Sequence, residues 1–306
     1  MRARYWLLSG ILGLCALDLV LGQRTAAAVP AAAELPPARL GTLDLVTYNV
    51  AGLPEGMSES HPLRNLPLIG KLLNQYDLAL VQEDFAYPFE LRRALGFAHG
   101  SPAFVRGKRI DFGDGLSEFS RFPFTGFTRE AWATCNGYVD SYFDCLTPKG
   151  FAFARHELAP GVFVDIYNVH LDAGNGSGDA HAREAQLLQL SQAIVRHSGM
   201  EAVIVAGDTN VYSRRREPLP AFEQRNGLSE VCVALHCSEP RRIDRVFFRS
   251  SATLSLNPVS WKTDARFVDK QGNPLSDHLA VAVEFTWRAQ SPASKRNRDE
   301  QLKARL

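Results

Sequence analysis

The sequence predicts an α/β fold, and three observations carry the prediction. Short apolar runs bounded by glycine, above all Ala202-Val-Ile-Val-Ala206, have the form of strands buried on both faces. Between such runs lie stretches with helical apolar spacing, near residues 65–73 and 179–197. Polar residues recur where the apolar runs stop, and strand ends are where a rigid scaffold presents functional groups. The 306 residues, 45% hydrophobic and 22% charged, suit one soluble domain of about 250 residues with a tail at each end.

Taken in order, Arg2 and Arg4 precede an apolar run from Trp6 to Leu21 that is broken only by Asp18 and followed by Thr25-Ala-Ala-Ala28. That is the plan of a signal peptide over residues 1–28, cleaved near Ala28. The shortness of the run argues against a retained anchor, and bulky Leu14 before Cys15 argues against a lipoprotein. Residues 29–40, rich in Ala and Pro, read as a flexible leader, and residues 41–288 as the folded domain. Leu43 to Val50 is a strand that delivers Asn49 at its end before Gly52 and Pro54 break it. Asn65 is expected to cap a helix with Pro67 in its first turn and Leu68, Leu72 and Leu73 on its apolar side. Leu78 to Val81 is a second buried strand, running straight into Gln82 and Glu83. Pro88 to Leu95 is a short helix stopped by Gly96.

Residues 99–160 are aromatic and turn-rich, with strands expected around Gly115 to Arg121 and Gly150 to Leu158. The Phe-rich stretch Phe119 to Phe127 reads as a core strand. Val162 to Leu171 is a long strand with His170 near its end, and Gly174 to Gly178 a mobile loop. Asp179 begins a helix to His197. The run Ala202 to Ala206 breaks at Gly207 and presents Asp208 and Asn210, which project to one side if the chain stays extended. The plainer alternative is a turn in which Asp and Asn bond their own backbone. Ile243 to Phe248 has Asp244 at its start, and Leu279 to Trp287 is a final strand directly after Asp277-His278. Residues 289–306 are polar and basic, a disordered tail.

Export changes how the cysteines read. Cys15 leaves with the signal, and four in an oxidising compartment suggest disulfides, with proximity favouring Cys135–Cys145 and Cys232–Cys237. A zinc site is the weaker alternative, since no Cys-x-x-Cys pair is present. The formal charge is +1, but residues 1–28 carry +2 and residues 289–306 carry +3, which leaves −4 on the domain. A tight nucleic-acid binder would show a basic footprint instead.

Asn49, Glu83, His170, Asp208, Asn210, Asp244, Asp277 and His278 all fall at or beside strand ends. Each has an ordinary structural explanation alone; together they suit metal-assisted phosphodiester hydrolysis. Glu83 with Asn49 offers the hard oxygen ligands that Mg2+ or another hard divalent cation takes. His278 can be a general base if a carboxylate fixes its tautomer, and Asp244 is the candidate. His170 is then left to stabilise or protonate the opposite side of the phosphate.

Thr47-Tyr-Asn-Val50, Gln82-Glu83, Asn168-Val-His-Leu-Asp172, Gly207-Asp-Thr-Asn210, Ile243-Asp-Arg245 and Ser276-Asp-His278 form an ordered set across residues 43–286. The set resembles the motifs of the endonuclease/exonuclease/phosphatase superfamily, to which DNase I belongs. The resemblance implies a DNase I-like four-layer αββα sandwich, two mixed β-sheets flanked by helices, with the site at the mouth between the sheets. It implies Glu83 as principal metal ligand with Asn49 nearby and Asp277 close to the metal. Asp208 and Asn210 then orient nucleophile and phosphate, and Asp244 pairs with His278. Asp144-Cys-Leu-Thr-Pro-Lys149-Gly further resembles the Asp-x-x-x-x-Lys-Gly segment of neutral sphingomyelinases, in which that Asp and Lys are implicated in catalysis.

The expectation is therefore a secreted, monomeric, Mg2+-dependent phosphodiesterase of the sphingomyelinase type. Its partner is a membrane lipid head group, with peripheral membrane contact. No membrane-inserting hairpin is identifiable. A secreted DNase I-like nuclease is the first alternative, with Arg214-Arg-Arg216 to grip a nucleic-acid backbone. A catalytically silent binding module is the second.

Overall fold

Twelve strands in two six-stranded sheets make up the computed structural model, which describes residues 39–57, 60–104, 113–138, 144–212, 218–238 and 242–290. The first sheet contains β1 (Leu40–Asn49), β2 (Leu78–Gln82), β3 (His99–Gly100), β4 (Ser117–Ser120), β11 (Leu254–Thr263) and β12 (Val281–Ala289), in the order β11-β12-β1-β2-β4-β3. The second contains β5 (Phe124–Ala131), β6 (Gly150–Ala159), β7 (Val162–His170), β8 (Val203–Asp208), β9 (Ser229–Glu230) and β10 (Asp244–Arg249), in the order β5-β6-β7-β8-β10-β9. Both are mixed. β1 and β2 are parallel in one, β7 and β8 in the other, and the remaining pairs are antiparallel.

The sequence builds this because its central strands are apolar on both sides. Leu43 and Leu45 of β1 and Ile204 and Ala206 of β8 pack in the cluster between the sheets, with Leu80, Ile166 and Val283. The alternate residues face outward onto helices. Val46 and Tyr48 meet Leu66, Ile69 and Leu73 of α1 (Pro62–Leu73) and Leu91 of α2 (Pro88–Arg92). Val203 and Val205 meet Leu187, Leu190 and Ile194 of α3 (Ser177–His197) and Phe222 of α4 (Leu219–Asn226). A one-turn helix, α5 (Val231–Ala234), follows β9. The result is the expected αββα sandwich, and a strand serving two interfaces has no polar face to show.

Several local expectations are corrected. α1 starts at Pro62, so Asn65 and Pro67 lie inside the helix and not at its cap. Asn65 is buried and its amide donates to the carbonyls of Ser60 and Leu275, a tie to the loop before β12. The Phe119–Phe127 stretch is not one core strand. Phe119 is buried in β4, the chain turns, and β5 begins an edge strand whose Phe124 and Phe127 are only partly covered. α3 begins at Ser177, and Asp179 is its N3 residue, accepting the Gly176 N–H at 2.8 Å in a capping arrangement. β8 does not break at Gly207. It runs on through Asp208.

Gly207 is required there. Its φ is 148°, and a Cβ would run into the Val169 carbonyl of the neighbouring strand. Gly207→Ala is expected to cost about 3 kcal/mol or more, read as a fall in the urea midpoint.

The expected signal peptide, most of the leader, residues 291–306 of the tail and Arg214-Arg-Arg216 lie outside the described residues. Among the described residues no helix is long and apolar enough to cross a membrane. The two expected disulfides, Cys135–Cys145 and Cys232–Cys237, are both present.

Candidate active site

Strand register explains how residues scattered along the chain meet. In the second sheet His170 pairs with Asp208 across β7 and β8, and Asp208 pairs with Asp244 across β8 and β10. Three neighbouring strands thus bring three functional residues abreast. In the first sheet Asn49 pairs with Gln82, so Glu83 follows at the same end, and Asp277 and His278 arrive there just before β12. Each sheet contributes one half of the site.

The halves touch directly. Asn49 is fully buried, and its Nδ2 donates to Glu83 Oε1 at 2.9 Å and to Asp208 Oδ2 at 3.2 Å, while its Oδ1 accepts the Ala51 N–H at 3.1 Å. His278 Nδ1 lies 2.9 Å from Asp244 Oδ2, and its Nε2 faces the cleft, 3.7 Å from Asp208 Oδ2. His170 Nε2 lies 3.4 Å from Asp208 Oδ2 and 3.8 Å from Glu83 Oε1. Glu83 sits at φ 57°, a strained setting for a non-glycine residue. It is held by N–H donors from Gly52 and Phe85 to its carbonyl, at 3.0 and 2.8 Å. Gly52 has no room for a side chain, because a Cβ would strike that carbonyl.

Asn210 is at φ 50°, so the simple rule for alternate residues on an extended strand does not place it. Its N–H donates to Asp208 Oδ1 at 2.9 Å and its Nδ2 to the Leu171 carbonyl at 2.9 Å. The turn reading of Gly-Asp-x-Asn is therefore met, in a segment that lies at the cleft. Asp277 is exposed at the rim, accepting from Ser276 Oγ at 3.3 Å. Ser276 Oγ also donates to the Asn49 carbonyl at 2.7 Å, which ties the Asp277-His278 segment to β1.

Asp144 and Lys149 form a buried ion pair at 2.5 Å, and Asp144 Oδ2 accepts the Ala173 N–H at 2.7 Å. Ala173 is three residues beyond His170, so this pair is brought to the same end of the sandwich. The Lys149 charge reaches the site, where it favours ionised Glu83 and disfavours charged His170. The residue that sequence reasoning missed is Asp172. It is fully buried, accepts the Asn136 N–H at 2.7 Å and Gln186 Nε2 at 2.6 Å, and so fastens the Cys135–Cys145 loop that carries Asp144. Its spacing of two from His170 at a strand end was the available signal.

Burial sets the protonation of these groups. It pushes the Glu83 carboxyl up, opposed by the Lys149 charge and the Asn49 hydrogen bond. Burial pushes Asp144 up to about 6 against the pull of Lys149. Burial, helped by the charges of Lys149 and His278, holds His170 well below the usual imidazole range, so it is neutral at pH 7. For His278 burial resists charging, but Asp244, Asp208 and the hydrogen bond to Asp244 outweigh it and raise the imidazole to about 10. Asp244 is raised by burial, against the attraction of His278.

The site fits a hard divalent cation. Glu83, Asp208, Asp244 and Asp277 gather carboxylates at one cleft, and buried Asp244 Oδ1 has no hydrogen-bond partner among the described residues. Ligand atoms of Asp208, Asp244 and His278 lie within 4.8 Å of one another. That trio differs from the expected ligands Glu83, Asn49 and Asp277. Because Asp244 already serves His278, and Asn49 turns its oxygen to Ala51, Glu83 remains the freest hard oxygen donor.

Comparison with known proteins bears on the family and the fold. Curated proteins named "Sphingomyelinase" from Mycobacterium bovis and Mycobacterium tuberculosis are 34% identical over 275 residues, covering 83% of this chain and 54% of theirs. The chain therefore spans about half the length of the curated relatives it matches. A Staphylococcus aureus beta toxin superposes with a TM-score of 0.58 at 18% identity over 79% of this chain and 99% of that one. Sphingomyelinase C from Streptomyces griseocarneus gives 0.56 at 18% over 80% and 99%. A humanized D. rerio TDP2 gives 0.59 at 18% over 80% and 98%. At those identities the solved structures establish a shared DNase I-like fold. Residues 46–278 match the Endonuclease/Exonuclease/phosphatase family, and with the ordered motifs converging on one cleft, the chain belongs to that family.

Proposed function

We propose that the chain is an exported, divalent-metal-dependent phosphodiesterase that cleaves a phosphocholine lipid in the manner of a phospholipase C. The observation that carries the choice of lipid is the buried Asp144–Lys149 pair, whose ammonium charge is felt by both Glu83 and His170. A lysine ammonium there is a point charge for one phosphate oxygen. The names of the mycobacterial relatives support the same substrate class. The two disulfides support an oxidising compartment.

In this reading Glu83, with Asp277 at the rim and Asn49 behind it, holds Mg2+. When bound, the ion polarises the phosphoryl oxygens and offsets charge in the transition state. Asp244 fixes the Nδ1–H tautomer of His278, so that Nε2 takes the proton of the attacking water. Asp208 and Asn210 orient water and phosphate, and neutral His170 donates a hydrogen bond to the phosphate from the opposite side. Tyr138 and Leu146 on the β5–β6 connection that carries Asp144 and Lys149, Tyr212 just after Asn210 and Leu279 just after His278 are exposed, which supports contact with a lipid surface.

The test is release of phosphocholine from sphingomyelin liposomes with Mg2+, set against nicking of supercoiled plasmid. Nicking without release would make the chain a nuclease, and inertness in both assays would make it a binding module. Lys149→Ala is expected to lower lipid cleavage at least about tenfold, equivalent to about 1.4 kcal/mol of transition-state stabilisation. Hydrolysis of a small soluble diester should fall less. Equal loss on both substrates would remove the case for lipid.

A further inference from the structure

The site is split between two sheets whose shared core is apolar. Apolar contact is non-directional, so it holds the sheets together without fixing their mutual register. Directional bonds do fix it, among them Asn49 to Asp208 at the cleft and, behind it, those of Asn168. Asn168 of β7 is fully buried, and its Nδ2 donates to the carbonyls of Val81 and Ser117, both at 3.0 Å, while its Oδ1 accepts from Gln82 Nε2 at 2.6 Å. All three partners belong to the opposite sheet. Val81 and Ser117 are the last register pair of β2 and β4, so the amide enters where those strands part. Gln82 Nε2 donates in turn to Thr47 Oγ1 of β1 at 3.1 Å. Farther toward the β3/β5 side, the sheets are joined again by His156 and Glu118 at 2.8 Å.

We propose that Asn168 is a positioning residue which, through Gln82, sets the separation at which Glu83 and His170 face each other. Gln82 is bonded to Glu83 in the chain, and Asn168 lies two residues before His170 on the same face of β7. Packing alone does not call for an amide here, although an apolar side chain would also leave the Val81 and Ser117 carbonyls and the Gln82 amide buried without this partner, a stability cost that the test separates from position. Directional bonds to two strands and a glutamine do call for one. The inference rests on the reading of Glu83 as metal ligand, and its test separates the two.

Asn168→Leu keeps the branching of the side chain and Gln82→Met about its length, and both remove the cross-sheet bonds. Asn226→Ala is the control. Asn226 is a buried amide on α4, bonded to Ser191 Oγ and the Phe222 carbonyl, remote from the cleft. Mg2+ affinity by calorimetry and the ring signals of His170 by NMR are measured on each folded, full-length protein. Both cross-sheet variants are expected to bind Mg2+ about tenfold or more weakly and to shift the His170 signals, while the control loses thermal stability and moves neither. Folded variants with wild-type affinity and unchanged His170 signals would overturn the proposal. If Asn168→Leu does not fold, Gln82→Met decides it. A wild-type protein that binds no Mg2+ would refute the metal reading, and the His170 signals would then decide the positioning role by themselves.

Discussion

On the proposed reading, Glu83→Gln is expected to abolish Mg2+ binding and to lower diester turnover by about a thousandfold or more, roughly 4 kcal/mol of transition-state stabilisation. The substitution keeps shape and removes one charge, so a loss of rate cannot be assigned to a cavity. The fold is expected to survive and even to gain. Burial raises the Glu83 carboxyl in the folded protein. Its contribution to stability is therefore present below the unfolded carboxyl value and is lost as pH rises through the folded one, which makes the buried carboxyl a cost once pH exceeds the unfolded value. Glu83→Gln removes that cost, and the metal-free variant should melt at or above the wild-type temperature. A variant that turns over normally, or that keeps its Mg2+ affinity, would transfer the ligand role to the Asp208, Asp244 and His278 cluster.

That pairing of lost function with unharmed stability is the mark of a group positioned for chemistry, and it bears on what could be read from the sequence. The central strands were legible because both their faces are apolar, which leaves glycine and polar punctuation as the boundaries. The site residues were legible for the same reason, since a polar residue at the end of such a run has few other places to be. β11 and α4 were not anticipated. β11 is an edge strand with Pro258 inside and only two fully buried positions, and α4 is only eight residues long. Neither carries a clean period. Asn65 was misplaced because an Asn before Pro is an ordinary cap signal, whereas here Pro62 starts the helix earlier and Asn65 is held by tertiary bonds. The cross-sheet bonds of Asn168 depend on partners far away in sequence, which no local pattern reports.

His278→Ala is expected to lower turnover by about 10²–10⁴, and the pH dependence shows how. In the metal-free protein burial resists the charge, but Asp244 and Asp208 raise the imidazole to about 10. Since that is above the unfolded value, the stabilisation is fully present below pH 6.5 and is lost as pH rises through about 10. Wild-type, metal-free protein should therefore weaken over that window, and His278→Ala should show a flatter profile. A base must be neutral at Nε2, so the same field that anchors His278 holds it in the wrong protonation state at pH 7. Loading the site with Mg2+ adds opposing charge beside Asp208, and the titration of His278 should move down. The pH–rate profile of the wild type should accordingly rise on a limb that shifts to lower pH with increasing Mg2+. Asp244→Asn also removes the largest charge raising His278, yet it frees the wrong tautomer, so its rate should fall even though its base is easier to deprotonate. A limb insensitive to Mg2+ and still present in His278→Ala would assign the proton to another group, and Asp144, raised to about 6, would be the first to test.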